Sequence, residues 1–215
     1  MRIFSNLAIS LDGKIADRVQ PSQSLGTAYD KRMMQVIRAQ SQAIIVGSQT
    51  LKASPKPMKT AKAKRQPLNI VVAQSSSLRS LKNFWQDDAV KRLILTTESS
   101  VAKYTRESKD RALVKAFGKK NFKLAAALKF LKKEMAIESL LVEGGGELMS
   151  LFLRENYLQE LYLTLTPRIL GGRENPSLVG GLKAIPGWRN LKLLKHKKVK
   201  DEVYFHYQVK KHRRI

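Results

Sequence analysis

The chain has no cysteine. Disulfides, thiolate metal sites and a cysteine nucleophile are therefore excluded. Histidine is nearly absent too: only His196, His206 and His212 occur, all in the last twenty residues. No pair of them has a metal-ligand context, so no metal centre is expected. No run of about 18 apolar residues exists that could cross a membrane. The opening Met1-Arg2-Ile3-Phe4-Ser5-Asn6 lacks the basic, apolar and small-residue regions of a signal peptide, so a cytoplasmic protein is expected. Acidic residues are few, 17 against 41 basic ones, giving a net charge of +24. Such a field attracts polyanions without specificity. It leaves two readings, a nucleic-acid binder or a basic surface around an anionic small-molecule site. Against the first, aromatics are only 7% of the chain. The basic residues are also spread along its whole length, apart from the short tail Lys210-Lys211-His212-Arg213-Arg214.

What is present is a 215-residue sequence that is 43% hydrophobic, enough for a substantial core. There is no repeat, no low-complexity block and no Pro/Gly/Ser linker. One domain over 1–215 is the economical reading. Alternating β-branched residues predict a strand from Ile3 to Ile9, a turn at Ser10 to Lys14 and a short strand continuation at Ile15-Ala16. Thr27 or Asp30 is placed to cap a helix reaching about Ala39. Further strands are expected at Gln42–Val46, Leu68–Ala73, Leu93–Thr97, Ala112–Phe117, Ser139–Val142 and Leu161–Leu165. Ala53 to Gln66, basic and broken by proline, reads as a mobile loop. Ser99 or Ser100 opens a helix toward Lys109. Lys123 to Met135 is amphipathic, with Leu124, Leu128 and Leu131 inward and its lysines on a solvated face. Leu191–Val199 and Glu202–Val209 form a hairpin around Lys200-Asp201. Repeated α-β units followed by a β-rich C-terminal third imply an α/β fold: a mostly parallel mixed sheet, helices on both faces, and an antiparallel C-terminal hairpin.

The richest segment is Leu140-Leu141-Val142-Glu143-Gly144-Gly145-Gly146-Glu147-Leu148. A buried strand ends in a carboxylate, three glycines follow, and an amphipathic helix begins. Backbone N–H groups and the helix dipole there suit an anion. The segment also reads as a plain strand-to-helix turn, and it is not the G-x-G-x-x-G fingerprint.

Four segments in this order carry a resemblance: Ser5 to Ala16, Arg38 to Thr50, Leu141 to Gly146, and Glu160-Leu161 with Thr166 to Gly172. Together they resemble the riboflavin-biosynthesis reductase domain, a dihydrofolate reductase-like fold, over essentially the whole chain. The bifunctional bacterial members add a zinc deaminase domain, which is not expected here. The resemblance implies an NADPH-dependent reductase of the type of 5-amino-6-(5-phosphoribosylamino)uracil reductase. Such an enzyme passes hydride to C1′ of the ribosyl group of an anionic pyrimidine ribose phosphate, and the family is usually homodimeric. The implied cofactor contacts are Ala8, Thr50, Ser54, Ser75, Gly144, Gly145, Gly146, Glu147, Leu148 and Met149. Ser22, Arg38 and Glu143 are the implied substrate contacts. Glu143 is the candidate catalytic carboxylate, able to bind hydroxyls or handle a proton. Asp12, in an Asp-Gly turn, favours a structural role.

The chain departs from the family after Thr50. Where the family carries a Val-Leu-x-Asp-Asp-Pro type segment, Leu51-Lys52-Ala53-Ser54-Pro55 lacks both acids. The Asp-Ser pair after the third strand becomes Gln74-Ser75. The cofactor half therefore matches while the substrate half differs. A family member that reduces another substrate, one that binds NADPH without turnover, and a basic nucleic-acid binder stand as alternatives.

Overall fold

A computed structural model describes residues 1–20, 25–62, 65–181 and 183–211. Nine strands hydrogen-bond in the order β5-β4-β3-β2-β6-β1-β7-β9-β8, a mostly parallel mixed sheet. In chain order the strands are β1 Arg2–Ile9, β2 Ala43–Gly47, β3 Leu68–Val72, β4 Arg92–Thr96, β5 Leu113–Ala116, β6 Ser139–Val142, β7 Glu160–Leu165, β8 Leu191–Val199 and β9 Glu202–Val209. The helices are α1 Ala28–Arg38, α2 Ser48–Ala53, α3 Lys82–Trp85, α4 Val101–Ser108, α5 Leu124–Lys133 and α6 Gly146–Arg154. The chain divides into two compact units: Met1 with Gln35–Leu140, and Arg2–Met34 with Leu141–Ile215.

The first unit is built on parallel pairing of β2 with β3, β3 with β4, and β4 with β5. Strands flanked on both sides bury both faces and read as continuous apolar runs. Ala43-Ile44-Ile45-Val46 and Leu93-Ile94-Leu95 fit this, each with at most 3% exposure. The α5 helix buries Leu124, Ala127, Leu128, Phe130 and Leu131, a wider stripe than the three leucines the sequence marked. Lys123, Lys129, Lys132 and Lys133 are exposed, as the solvated-face reading expects.

In the second unit β1 pairs in parallel with β7, then β7 with β9 and β9 with β8 antiparallel. The hairpin turns at Lys200, which holds φ 54. Arg2 donates from Nε to Glu160 Oε1 at 2.7 Å and from Nη2 to Glu160 Oε2 at 2.9 Å. Glu160 is also 2.7 Å from His206 Nε2, and the His206 ring stacks on Tyr162 at 4.1 Å. These bonds, the Arg2 fork first and against the effect of burial, hold the Glu160 carboxyl down at about 2.

Two expectations are corrected. Ile15-Ala16 does not continue as a strand; the pairing there is the single bridge Lys14–Ser177. The backbone groups at 13 to 15 are instead shared with an irregular partner, Ile15 N–H donating to Pro176 O and Leu178 N–H to Gly13 O. The stretch 53–66, expected to be mobile, is fastened at its described residues 58, 60 and 66. Fully buried Asn69 accepts from Met58 N–H at 2.8 Å and donates to Met58 O at 2.9 Å. Gln66 does the same for Thr60, at 3.0 and 2.8 Å. Helices α2 and α3 were not foreseen. At six and four residues they are too short to show a periodicity.

Candidate active site

Ligands of open α/β sheets bind beyond the C-terminal ends of parallel strands. In the second unit those ends are formed by β1, β6 and β7. The β6 strand delivers half-buried Glu143, and Gly145 follows as an extended N-cap of α6, with φ −67, ψ 173 and no capping side chain. The first-turn N–H groups of α6 thus have no side-chain cap at the N-cap position, which suits an anion. None of the three glycines has a positive φ, so the triplet is not needed for turn geometry. At Gly144 and Gly146 it is needed for space. A Cβ on Gly144 would fall 2.6 Å from Leu148 Cδ2, and one on Gly146 would fall 2.5 Å from Ser177 O and 2.7 Å from Gly180 N.

The backbone of 177–180 therefore lies directly against the start of α6. It is tied in turn to the turn after β1. Asp12 accepts from Ser10 Oγ at 2.6 Å, from Leu170 N–H at 3.1 Å and from Gly171 N–H at 2.8 Å. The Ser10 bond, followed by the Leu170 N–H, lowers the Asp12 carboxyl to about 2. Asp12 thus fastens the loop that follows β7, a structural role. Asn175 adds a bond to Gly171 O at 3.0 Å and accepts from Arg18 N–H at 3.0 Å. Leu25, Asp17, Arg168, Ile169 and Leu170 line a small cavity of about 230 Å³ beside this loop pair.

Ala8 lies near the end of β1 and pairs with Thr164 of β7. Although β1 is interior to the sheet, Asn6, Leu7, Ala8 and Ile9 are only half-buried. Ser5, one turn of pleat earlier, is fully buried and donates to Val142 O at 2.8 Å, with Met149 Sδ at 3.2 Å. Ala8, Glu143, Gly144, Gly145, Gly146, Glu147, Leu148 and Met149 are thus gathered in one unit.

Thr50, Ser54, Ser75 and Arg38 lie in the other unit. Thr50 is in α2, and Ser54 is its C-cap, its N–H donating to Thr50 O. Ser75 follows β3, and its carbonyl accepts from Lys103 Nζ. Gln49 donates to Ser76 Oγ at 2.8 Å, which joins the start of α2 to the Ser75 segment. Arg38 ends α1 and donates from Nη1 to Lys59 O at 3.1 Å, so it also holds the 54–66 stretch. Ser22 lies outside the described residues.

A mostly parallel α/β sheet closed by an antiparallel C-terminal hairpin is the architecture of the dihydrofolate reductase-like enzymes. The RibD C-terminal domain family matches residues 2–205, and the chain belongs to it. It is 32% identical over 191 residues to the 2,5-diamino-6-ribosylamino-4(3H)-pyrimidinone 5′-phosphate reductase of Archaeoglobus fulgidus, covering 83% of this chain and 86% of the relative. Against the riboflavin biosynthesis protein RibD of Chlamydia muridarum it is 30% identical over 183 residues. That match covers 82% of this chain and 49% of the relative, so the chain spans about half of that protein. A pyrimidine reductase-like protein from Corynebacterium diphtheriae superposes with a TM-score of 0.84 at 16% identity, over 98% of this chain and 92% of the other. At that identity the likeness concerns the fold.

Two site features escaped the sequence reading. One is the 177–181 backbone against Gly146. The other is the Asp30–Thr164 contact, in which Thr164 Oγ1 donates to Asp30 Oδ1 at 2.7 Å. Asp30 had been weighed only as a helix cap. Thr27 takes that part, its Oγ1 accepting from Tyr29 N–H at 3.2 Å.

Proposed function

We propose that the chain is an NADPH-dependent pyrimidine reductase acting on a ribosylamino-pyrimidine 5′-phosphate. The 2,5-diamino-pyrimidinone and the 5-amino-uracil forms are its two candidate substrates. The observation that carries this reading is membership of the reductase family across residues 2–205, joined to an α6 start whose donors fit a pyrophosphate. The cofactor supplies hydride when bound. The protein binds, orients and excludes water.

In this reading the first-turn N–H groups of α6, those of Glu147 and Leu148 foremost, receive the pyrophosphate from the Gly145 side, because the space over Gly146 is filled and Met149 N–H already donates to Gly145 O at 3.2 Å. Ala8 offers its backbone to the nicotinamide carboxamide. Thr50, Ser54 and Ser75 contribute further cofactor contacts. Glu143, directly before the glycine triplet, accepts hydrogen bonds from sugar hydroxyls. Arg38 and Ser22 face the substrate, Arg38 with a guanidinium suited to a phosphate or a planar ring. Residues 1–215 act as one reductase domain, in a cytoplasmic homodimer.

Mixing the protein with NADPH or NADH and each pyrimidine phosphate, while following absorbance at 340 nm, tests the proposal. Oxidation of NADPH with one pyrimidine is expected. No quenching or enhancement of NADPH fluorescence at millimolar cofactor would overturn it. A second reading, cofactor binding without turnover, is favoured by one observation: exposed Ala53 and Ser54 stand where the family has acids. NADPH binding with no oxidation in the presence of either pyrimidine would select it.

A further inference from the structure

Among the described residues, the Asp30 carboxylate is held by the Thr164 hydroxyl at 2.7 Å and forms no ion pair within 4 Å. It sits in the first turn of α1, where an ionised carboxylate normally gains from the helix dipole. Its surroundings work the other way. Burial, and then the charge of Glu202 against the bond from Thr164, raise its carboxyl above the ordinary value. Glu202 is 2% exposed and already engaged, accepting from Thr27 N–H at 2.9 Å, from Thr27 Oγ1 at 2.6 Å and from the Tyr204 hydroxyl. The hydrogen bonds from Thr27 and Tyr204 keep Glu202 low despite its burial. Two carboxyls in one environment are thereby pushed apart, one ionised and one inclined to hold its proton, the arrangement that separates acid from base in catalytic sites.

Geometry places Asp30 next to the open end of β1. Thr164, which holds it, is the register partner of Ala8. Neighbouring strands lie about 5 Å apart, and paired residues of parallel strands raise their side chains on the same face. Asp30 therefore stands over the face bearing the Ala8 methyl, where β1 is only half-buried. The Cα of Gly26 packs against the other carboxylate oxygen. A Cβ at Gly26 would fall 2.1 Å from Asp30 Oδ2, so no side chain intervenes there.

We propose that Asp30, oriented by Thr164, is the acid that supplies the proton of the reduction, a role that rests on the reductase reading above. In the overall step the C1′–O4′ bond of the ribosylamine breaks and hydride forms the new C1′–H bond. The O4′ oxygen takes the Asp30 proton, leaving an open ribityl chain and an Asp30 carboxylate that solvent reprotonates. One hydride and one proton enter, and the pyrimidine amine is unchanged in charge. The charged and titratable groups around Asp30 are Lys31 on its own helix and Glu202 and Tyr204 on β9. Beyond them are Arg168 after β7, acting through Glu202, and Lys197 on β8, bonded to Tyr29.

The test compares wild type, Asp30→Asn, Thr164→Val and Glu143→Gln for NADPH affinity by fluorescence, kcat, KM and the pH dependence of kcat. Asp30→Asn keeps the shape and the Thr164 contact. It should lower kcat about 10²–10³-fold, leave NADPH affinity within about twofold, and abolish the alkaline fall in rate that marks an essential acid. Thr164→Val removes a bond that favours the ionised form, so it should move that alkaline limb to higher pH, which a packing defect would not do. Glu143→Gln should act mainly on KM. Retention of kcat within about threefold in Asp30→Asn overturns the proposal. If that variant fails to fold, an unmoved alkaline limb in Thr164→Val does so. Absence of NADPH binding by the wild type would instead strike the reductase reading, and the proposal with it.

Discussion

Two of the strand-to-helix turns in this protein have similar backbones and different reasons for their glycines. Gly47, between β2 and α2, is an extended N-cap with φ −79, ψ 152. Gly145, between β6 and α6, is another with φ −67, ψ 173. Neither helix has a side-chain cap. A Cβ on Gly47 would meet nothing within 4 Å, whereas one on Gly146 would strike the backbone of 177–180. In the first turn glycine leaves open space. In the second it permits contact between two backbones, and that contact fixes the loop beside the proposed pyrophosphate site.

The fastening of neighbouring loops differs in the same way. Around 58–61 the first unit holds the backbone with neutral amides, Asn69 on Met58, Gln66 on Thr60, and Gln35 Oε1 accepting from Ala61 N–H at 3.1 Å, beside one side-chain ion pair, Lys59 with Asp87 at 2.7 Å. The second unit uses carboxylates: Asp12 on the 170–171 backbone, Glu160 on Arg2, and Glu202 on Thr27. Amides do not titrate and carboxylates do. Acid should therefore loosen the 170–171 backbone before the amide-held 58–60 backbone.

The largest expected effect on stability is at Gly146. Gly146→Ala should cost about 3 kcal/mol, because rigid backbone cannot yield as a flexible side chain would. Urea unfolding measures this, and a loss below about 0.5 kcal/mol would remove the distinction between the two turns. Next is Asn69→Ala, which strands a buried N–H and a buried carbonyl at Met58. A loss of about 2 kcal/mol is expected, with hydrogen exchange accelerated at 58–60 and unchanged at 170–171.

The third effect is the acid response. Glu160 and Asp12 both have folded-state values of about 2, below their ordinary 4.5 and 3.8. Their stabilisation is complete above those ordinary values and is lost as pH falls toward 2. Exchange protection at Gly171 should fall across that window before protection at Met58 does. Glu160→Gln should flatten part of the acid limb. Equal loss in both loops would break the comparison. Smallest is Gly47→Ala, where the loss of a favoured N-cap residue and the lower entropy of the unfolded chain nearly offset. A change within about 0.5 kcal/mol is expected. If the open space at Gly47 serves the cofactor, NADPH affinity should fall while stability holds.

Much of this was readable from residue order alone. Apolar runs such as Ala43 to Val46 and Leu93 to Leu95 mark strands, because a strand covered on both sides has no polar face to alternate. The Leu140 to Leu148 segment gave a strand, a turn and a helix start, since these depend on near neighbours in the chain. Asp12 was assigned correctly as structural from its Asp-Gly turn. The fold class followed from the order of elements and from motifs spread over the whole chain.

Other features depended on residues far apart in sequence. The 53–66 stretch looks mobile from its prolines and lysines, yet Met58 is held by Asn69 and Thr60 by Gln66, and composition alone does not announce those pairings. The triplet looks like a turn that needs glycine's freedom, yet its φ values are ordinary and its demand is for close approach. Asp30 looks like a helix cap until Thr164, 134 residues later, takes its carboxylate. Local chain chemistry determined the main strands, the longer helices and the family. Only tertiary packing decided which glycine is crowded, which loop is fastened and which carboxyl is pushed above its ordinary value, because burial and charge come from neighbours that the sequence order does not name.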